Sequence, residues 1–173
     1  GAIFTDNEEL ALIMKSIRIH GSGSDKYENI RLGLNGRLDT IQAAILLEKL
    51  KIFYEELRLR NQVATYYNTN ISSDLRKPYT PKQYYSSWAQ YCLLANSNQE
   101  RNKIMFRLKE AGIPSMIYYR ICLHLQSVFI NLGYSEGDFP VSEQISSQIF
   151  SIPMHPYLTK NHQSQIIEAI NNE

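Results

Sequence analysis

The chain has 173 residues, 43% hydrophobic and 20% charged, with a formal net charge of +1. That length supports one ordinary domain with a sizeable core, or one domain plus an appendage, and the composition is globular rather than disordered. The near-zero charge gives no field to recruit nucleic acid or an anionic membrane, and no apolar run approaches the roughly 20 residues that span a bilayer.

The start, Gly1-Ala2-Ile3-Phe4-Thr5, has neither an initiator Met nor the regions of a signal peptide, so a processing boundary is expected there. Cys92 and Cys122 lack metal-type spacing, which argues for a reduced cytoplasmic setting without a disulfide framework. Residues 2–5 are apolar and β-prone, a short strand by expectation. Asp6 with Glu9 is capping-box-like, and Leu10, Ile13, Met14 and Ile17 repeat at helical spacing until Gly21 stops the helix.

Gly21-Ser22-Gly23-Ser24-Asp25-Lys26-Tyr27 is a loop by composition. A backbone phosphate nest is the sharper alternative, but GxGxxG spacing is absent and no helix follows directly. Asp39 with Gln42 then opens the strongest element, a helix expected to about Tyr67 and roughly 40 Å long. Its first half, Ile41 to Leu47, is apolar nearly all round and is expected to be buried on several sides. The second half alternates Glu55, Glu56, Arg58 and Arg60 with Phe53, Leu57 and Val63, an amphipathic surface pattern. Such a helix reads as a strut leaving one domain and entering another.

Residues 68–87 read as a connection with turns, and Trp88 to Leu94 as an aromatic-rich strand. Ser97 with Glu100 opens a helix closed by Gly112 and Pro114, and Ile113 to Tyr119 is a second expected strand. This β–α–β order begins a small α/β or α+β unit. Pro140 opens a short helix to about Ile149, Ser151 to Tyr157 is extended around two prolines, and Thr159 caps a last helix carrying Ile166, Ile167 and Ile170.

The residues alone hold no complete catalytic constellation. His20, His124, His155 and His162 have no H-x-x-x-H or C-x-x-C partner, so no metal site is expected. Ser22 and Ser24 lack a G-x-S-x-G elbow, and Cys92 reads as a packed strand residue. Asn35 and Arg37, just before a helix start, form either an anion-binding corner or a plain Asn-Gly turn with Arg37 snorkelling. Tyr118-Tyr119-Arg120, with His124 near by, forms either a site edge or an aromatic strand edge.

The stretch Gly33-Leu34-Asn35-Gly36-Arg37-Leu38-Asp39-Thr40-Ile41-Gln42-Ala43-Ala44-Ile45-Leu46 resembles the G-x-N-x-R-[LM]-D-x-[IL]-Q-A-A-[IL]-L signature of DegT/StrS-type sugar aminotransferases, of the fold-type I pyridoxal-phosphate superfamily. Gly1 to Thr5, His20-Gly21, and Ser151-Ile152-Pro153-Met154-His155-Pro156-Tyr157-Leu158 are similar to other family segments in the same order. The resemblance implies an α/β fold: residues 1–66 as the tail of a large cofactor-binding domain with its long connecting helix, and residues 67–173 as a small α/β or α+β domain.

It further implies pyridoxal 5'-phosphate as cofactor and amino transfer, with glutamate as donor, to a nucleotide-linked keto sugar in surface polysaccharide or glycoside synthesis. The Schiff-base lysine would lie upstream of Gly1, leaving no catalytic residue here and an inactive chain when alone. Asn35 matches a residue reaching the cofactor phosphate across a homodimer. Arg37 matches one reaching the nucleotide-sugar substrate, Tyr118 and Tyr119 match a substrate-facing pair, and His20 is a further substrate-side candidate. Neither nucleic acid nor membrane is an implied partner.

Arg120, Cys122 and Ser127 stand where many members have proline, which should loosen that loop, and Tyr118 replaces a common His. These departures, with the missing lysine, keep open an alternative: a non-catalytic remnant or regulatory sugar-binding homologue.

Overall fold

The computed structural model describes residues 1–25 and 27–172, so Lys26 of the expected loop and Glu173 lie outside the described residues. The chain divides into two compact units, Gly1–Ile52 and Phe53–Glu173.

In the first unit, residues 2–5 form no strand. Among the described residues nothing pairs with them, and a lone strand leaves its N–H and C=O groups unmatched. Helix α1 spans Glu8–Arg18, and its cap is Asn7 in place of the expected Asp6. The Asn7 backbone is extended, which lets its Oδ1 accept from the Leu10 N–H at 2.9 Å. Glu8 and Glu9 in the first turn and Lys15 and Arg18 in the last complement the helix dipole.

The exit from α1 is a Schellman turn. His20 takes the left-handed position at φ 59, and the Gly21 N–H returns to the Ser16 carbonyl at 2.8 Å. The sequence suggests glycine as the stop; instead the left-handed turn begins one residue earlier, at a histidine. Gly21 is required for space: a Cβ there would stand 1.8 Å from the Arg31 carbonyl oxygen.

Helix α2 spans Thr40–Asn70, roughly 46 Å at the usual rise, and runs through both units. Asp39 starts it, its Oδ1 accepting from the Ile41 N–H at 2.9 Å. The cap bond goes to the second helical N–H rather than the third, and among the described residues no bond from Gln42 back to the Asp39 N–H completes the box. The expected burial of its first half is not observed. Ile41 is 73% exposed, Ile45 59%, Leu47 63% and Leu50 62%, because no element of the described chain covers them.

The second unit has its own core. From α2 come Val63, Ala64 and Tyr67, all buried. Strand β1 (Tyr91–Leu94) pairs antiparallel with β2 (Ile149–Ile152), Tyr91 opposite Ile152 and Leu94 opposite Ile149. The expected strand at 113–119 is a single bridge, Met116 to Ser151 on the outer side of β2. Pro114 has no N–H to add to the ladder, and the chain turns at Tyr118. The partner of β1 is therefore a segment some 60 residues further on, and the unit is α+β.

Helix α3 (Asn98–Glu110) is capped by Ser97, whose hydroxyl accepts from the Glu100 N–H, while Glu100 reaches back to the Asn96 N–H at 2.7 Å. Two short 3-10 turns, Leu123–Leu125 and Ser127–Leu132, precede α4 (Pro140–Gln148). Helix α5 (Lys160–Asn171) is capped by Thr159 and buries Ile166, Ile167 and Ile170. Arg107 of α3 donates to the Ala169 and Ile170 carbonyls near the end of α5, tying the two helices together.

Tyr67 and Tyr91 stand edge to face at 5.1 Å in the middle of this core. Tyr67 donates to the Pro153 carbonyl at 3.0 Å and Tyr91 to Asn68, so neither hydroxyl is buried unmatched. Burial pushes both phenols well above their ordinary range.

Candidate active-site residues

Three of the five expected site residues, His20, Asn35 and Arg37, lie in the first unit, and two of them, Asn35 and Arg37, touch. The segment Gly33–Arg37 returns antiparallel beside the end of α1. His20 donates its N–H to the Leu34 carbonyl at 3.0 Å, Leu34 donates to Ile17 at 2.9 Å, Gly36 donates to Arg18 at 2.9 Å, and Asn35 bridges Ile19. The two backbones approach so closely that a Cβ on Gly33 would lie 2.1 Å from the Gly21 nitrogen. Leu34 thus uses the groups that a free helix end would leave unmatched, and Asn35 and Arg37 are fixed by the backbone rather than by burial.

Asn35 and Arg37 are both exposed, and the Arg37 Nε donates to the Asn35 Oδ1 at 3.1 Å. That contact orients the amide so that its NH2 points elsewhere, and it leaves the two terminal guanidinium nitrogens available. The result is a pair of side chains whose free groups are donors, suited to phosphate or carboxylate oxygens.

Tyr118 and Tyr119 belong to the second unit, where they meet edge to face at 5.9 Å. They line a cavity of about 850 Å³ with His124, Phe139, Ile145 and Ser146. The size suits a small-molecule ligand, and the wall is aromatic and aliphatic with a few polar groups.

His124, noted in the sequence only for its nearness, is held by Glu143, with Nε2 and Oε1 3.0 Å apart, and its ring lies 4.7 Å from that of Phe139. Glu143 also accepts from the Gly137 N–H at 2.9 and 3.0 Å and from the Phe139 N–H at 3.2 Å. Desolvation works against its charged form, but the backbone donors and His124 outweigh it and hold the carboxyl below its ordinary range.

Sequence reasoning missed Glu143 and Ser146. A signal for Glu143 exists: α4 begins at Pro140 after Phe139, whose side chain cannot cap, so a first-turn acid must serve the Phe139 N–H instead. Ser146 carries no sequence signal, because its partners are backbone carbonyls distant along the chain.

Among the described residues no group of three or more His, Cys, Asp or Glu side chains could hold a metal ion. No helix among them is long and apolar enough to cross a membrane.

Comparison with known proteins supplies the frame for these residues. Over 173 residues the chain is 38% identical to UDP-2-acetamido-2-deoxy-3-oxo-D-glucuronate aminotransferase of Pseudomonas aeruginosa, covering 99% of this chain and 46% of that protein. It is also 38% identical to a pleiotropic regulatory protein of Geobacillus stearothermophilus, covering 98% of this chain and 46% of that one. The chain therefore spans about half the length of the curated relatives it matches. A DegT DnrJ EryC1 StrS aminotransferase from Brucella abortus has the same fold in its crystal structure, with a TM-score of 0.86 and 43% identity over 96% of this chain and 44% of that one. The matching family works with pyridoxal phosphate. With its family model matching residues 1–171, the chain belongs to the DegT/DnrJ/EryC1/StrS aminotransferase family.

Proposed function

We propose that this chain is the carboxy-terminal part of a pyridoxal-phosphate aminotransferase that moves an amino group from glutamate to a nucleotide-linked keto sugar, in cytoplasmic synthesis of surface polysaccharide or glycoside precursors. The observation that carries the reading is the outward-facing donor pair Asn35 and Arg37, set at the start of α2 within a family match that spans residues 1–171.

In this reading residues 1–66 are the tail of the cofactor-binding domain and residues 67–173 the small domain. The donor set fits the anionic groups of both cofactor and substrate. The Asn35 amide would hold the cofactor phosphate of a second subunit, and Arg37 would hold a phosphate or carboxylate of the nucleotide sugar. Tyr118 and Tyr119 would face the sugar, and His20, fixed at its left-handed turn, would stand on the same substrate side. When bound, the pyridine ring of the cofactor supplies the electron sink for amino transfer. This chain's residues bind and orient, within a homodimer whose sites draw on both subunits.

The test uses the full-length protein supplied with pyridoxal phosphate, glutamate and UDP- or dTDP-linked keto sugars, with 2-oxoglutarate as the measured product. Formation of 2-oxoglutarate only in the presence of keto sugar is expected, and Arg37→Ala should raise the KM for the sugar about tenfold or more. The chain alone should form none. A second reading, a regulatory homologue that binds sugar without chemistry, has one support, the 38% identity to a pleiotropic regulatory protein. Sugar binding without 2-oxoglutarate formation would establish it.

A further inference from the structure

Between Tyr119 and Ser127 the chain has no proline, so no ring restricts the loop that presents Tyr118 and Tyr119; its own holds are the 3-10 turn at Leu123–Leu125 and the Gln126 amide donating to the Ile121 carbonyl at 3.4 Å, which do not reach the Tyr119 and Arg120 carbonyls. The Ser146 hydroxyl of α4 lies 2.8 Å from the Tyr119 carbonyl and 2.9 Å from the Arg120 carbonyl, its one hydrogen shared between them. Ser146 is itself anchored, because its own carbonyl accepts from Arg101 Nη1 at 3.2 Å.

Arg101 is only 6% exposed and has no carboxylate partner among the described residues; its Nε and Nη2 donate to Asn102 Oδ1 at 3.1 and 2.9 Å. It sits on α3, whose Ile104 and Leu108 are core residues. A continuous path therefore runs from the core through Arg101 and Ser146 to the backbone that carries the tyrosine pair. One turn earlier on α4, Glu143 holds His124 at 3.0 Å, which fixes the far end of the same loop.

We infer that Ser146 is the positioning residue for Tyr118 and Tyr119, with Glu143 acting through His124 as the second hold, so that α4 sets the wall of the cavity that receives the sugar. This rests on the proposed role of the two tyrosines as substrate-side groups. Ser146 touches no substrate; it acts only through the backbone it holds.

The experiment uses the full-length protein with pyridoxal phosphate bound, as wild type, Ser146→Ala and Ser146→Thr. Two quantities are measured: amide hydrogen exchange across 119–126 without substrate, and the dissociation constants of UDP-N-acetylglucosamine and dTDP-glucose. Ser146→Ala should speed exchange in that segment about tenfold and weaken the tighter nucleotide sugar about fivefold, the effect of losing one such hydrogen bond. Ser146→Thr, which keeps the hydroxyl, should stay within about twofold of wild type on both. In a protein already carrying Tyr118→Ala and Tyr119→Ala, adding Ser146→Ala should cost no further affinity, which a merely structural role would not predict.

Exchange at the wild-type rate in Ser146→Ala, equal damage from Ser146→Thr, or full additivity with the tyrosine changes would each overturn the inference. Failure of wild type to bind either nucleotide sugar would instead sink the proposed function, and the exchange comparison would still decide whether Ser146 holds the loop.

Discussion

The two units are built on opposite terms. In Phe53–Glu173 the apolar residues turn inward, and Leu93, Leu108 and Phe150 are completely buried around the Tyr67–Tyr91 pair. In Gly1–Ile52 no apolar side chain among the described residues is buried, and Leu12, Ile41, Leu47 and Leu50 are all more than half exposed. What orders the first unit is hydrogen bonding to the backbone: the Schellman turn at His20, the return segment at Leu34 and the Asp39 cap. One unit is specified by packing, the other by turns and caps. A chain can thus present a well-defined donor corner at Asn35 and Arg37 on a unit with little hydrophobic stabilisation of its own.

The comparison can be broken most forcefully in the cores. Phe150→Ala should destabilise the second unit by about 3–5 kcal/mol, since it opens a cavity where the ring is fully enclosed. Leu47→Ala in the same chain should change stability by no more than about 0.5 kcal/mol, because that side chain is already mostly in solvent. Chemical denaturation measures both, followed through Trp88, a core residue of the second unit, and through the helical circular dichroism to which α1 of the first unit contributes. A large effect of Leu47→Ala would show that the first unit has a core after all. Amide exchange should give the same ranking, with β1 and β2 amides protected to the level of global unfolding and α1 amides far less.

A finer change sharpens the picture within the packed unit. Tyr67→Phe keeps the ring but removes the hydrogen bond to the Pro153 carbonyl, leaving that oxygen without its phenol donor. A loss of about 1 kcal/mol is expected, read as a lower denaturation midpoint at unchanged slope.

The elements fixed by short-range chemistry were legible in the sequence. Asp39, Ser97, Pro140 and Thr159 start α2, α3, α4 and α5, each through a side chain or ring acting on its own first turn. The α2 pattern shows its two characters, although the burial inferred for Ile41 to Leu47 depends on a surface that the described chain does not supply. Long-range pairing was not legible: the apolar run at 113–119 has strand composition, yet Met116 contributes a single bridge and the ladder belongs to residues 149–152. At the candidate site, Asn35 and Arg37 stand out because they share a short motif. Glu143 and Ser146 reach their partners only once the chain has folded, so periodicity and spacing carry no trace of Ser146.

The smallest expected effect separates the units by pH. Glu143 is held below its ordinary range by the Gly137 and Phe139 N–H groups and His124, against the cost of its desolvation. A carboxyl depressed in the folded state contributes stability that is fully present above its unfolded value, near 4.5, and that disappears as pH falls through the lower folded value. Wild type should therefore lose stability on acidification below about pH 4.5, and the first amides to exchange should include Gly137 and Phe139. Glu143→Gln keeps a carbonyl acceptor but has no charge to titrate, so its stability should start lower at neutral pH and fall less steeply in acid. Because His124 shares the carboxylate, the variant should also free the His124 ring from its fixed contact with Phe139, seen as changed ring shifts in both residues. Parallel acid slopes for wild type and Glu143→Gln would mean that the loop before α4 is held by packing, as the rest of its unit is, and not by this carboxylate.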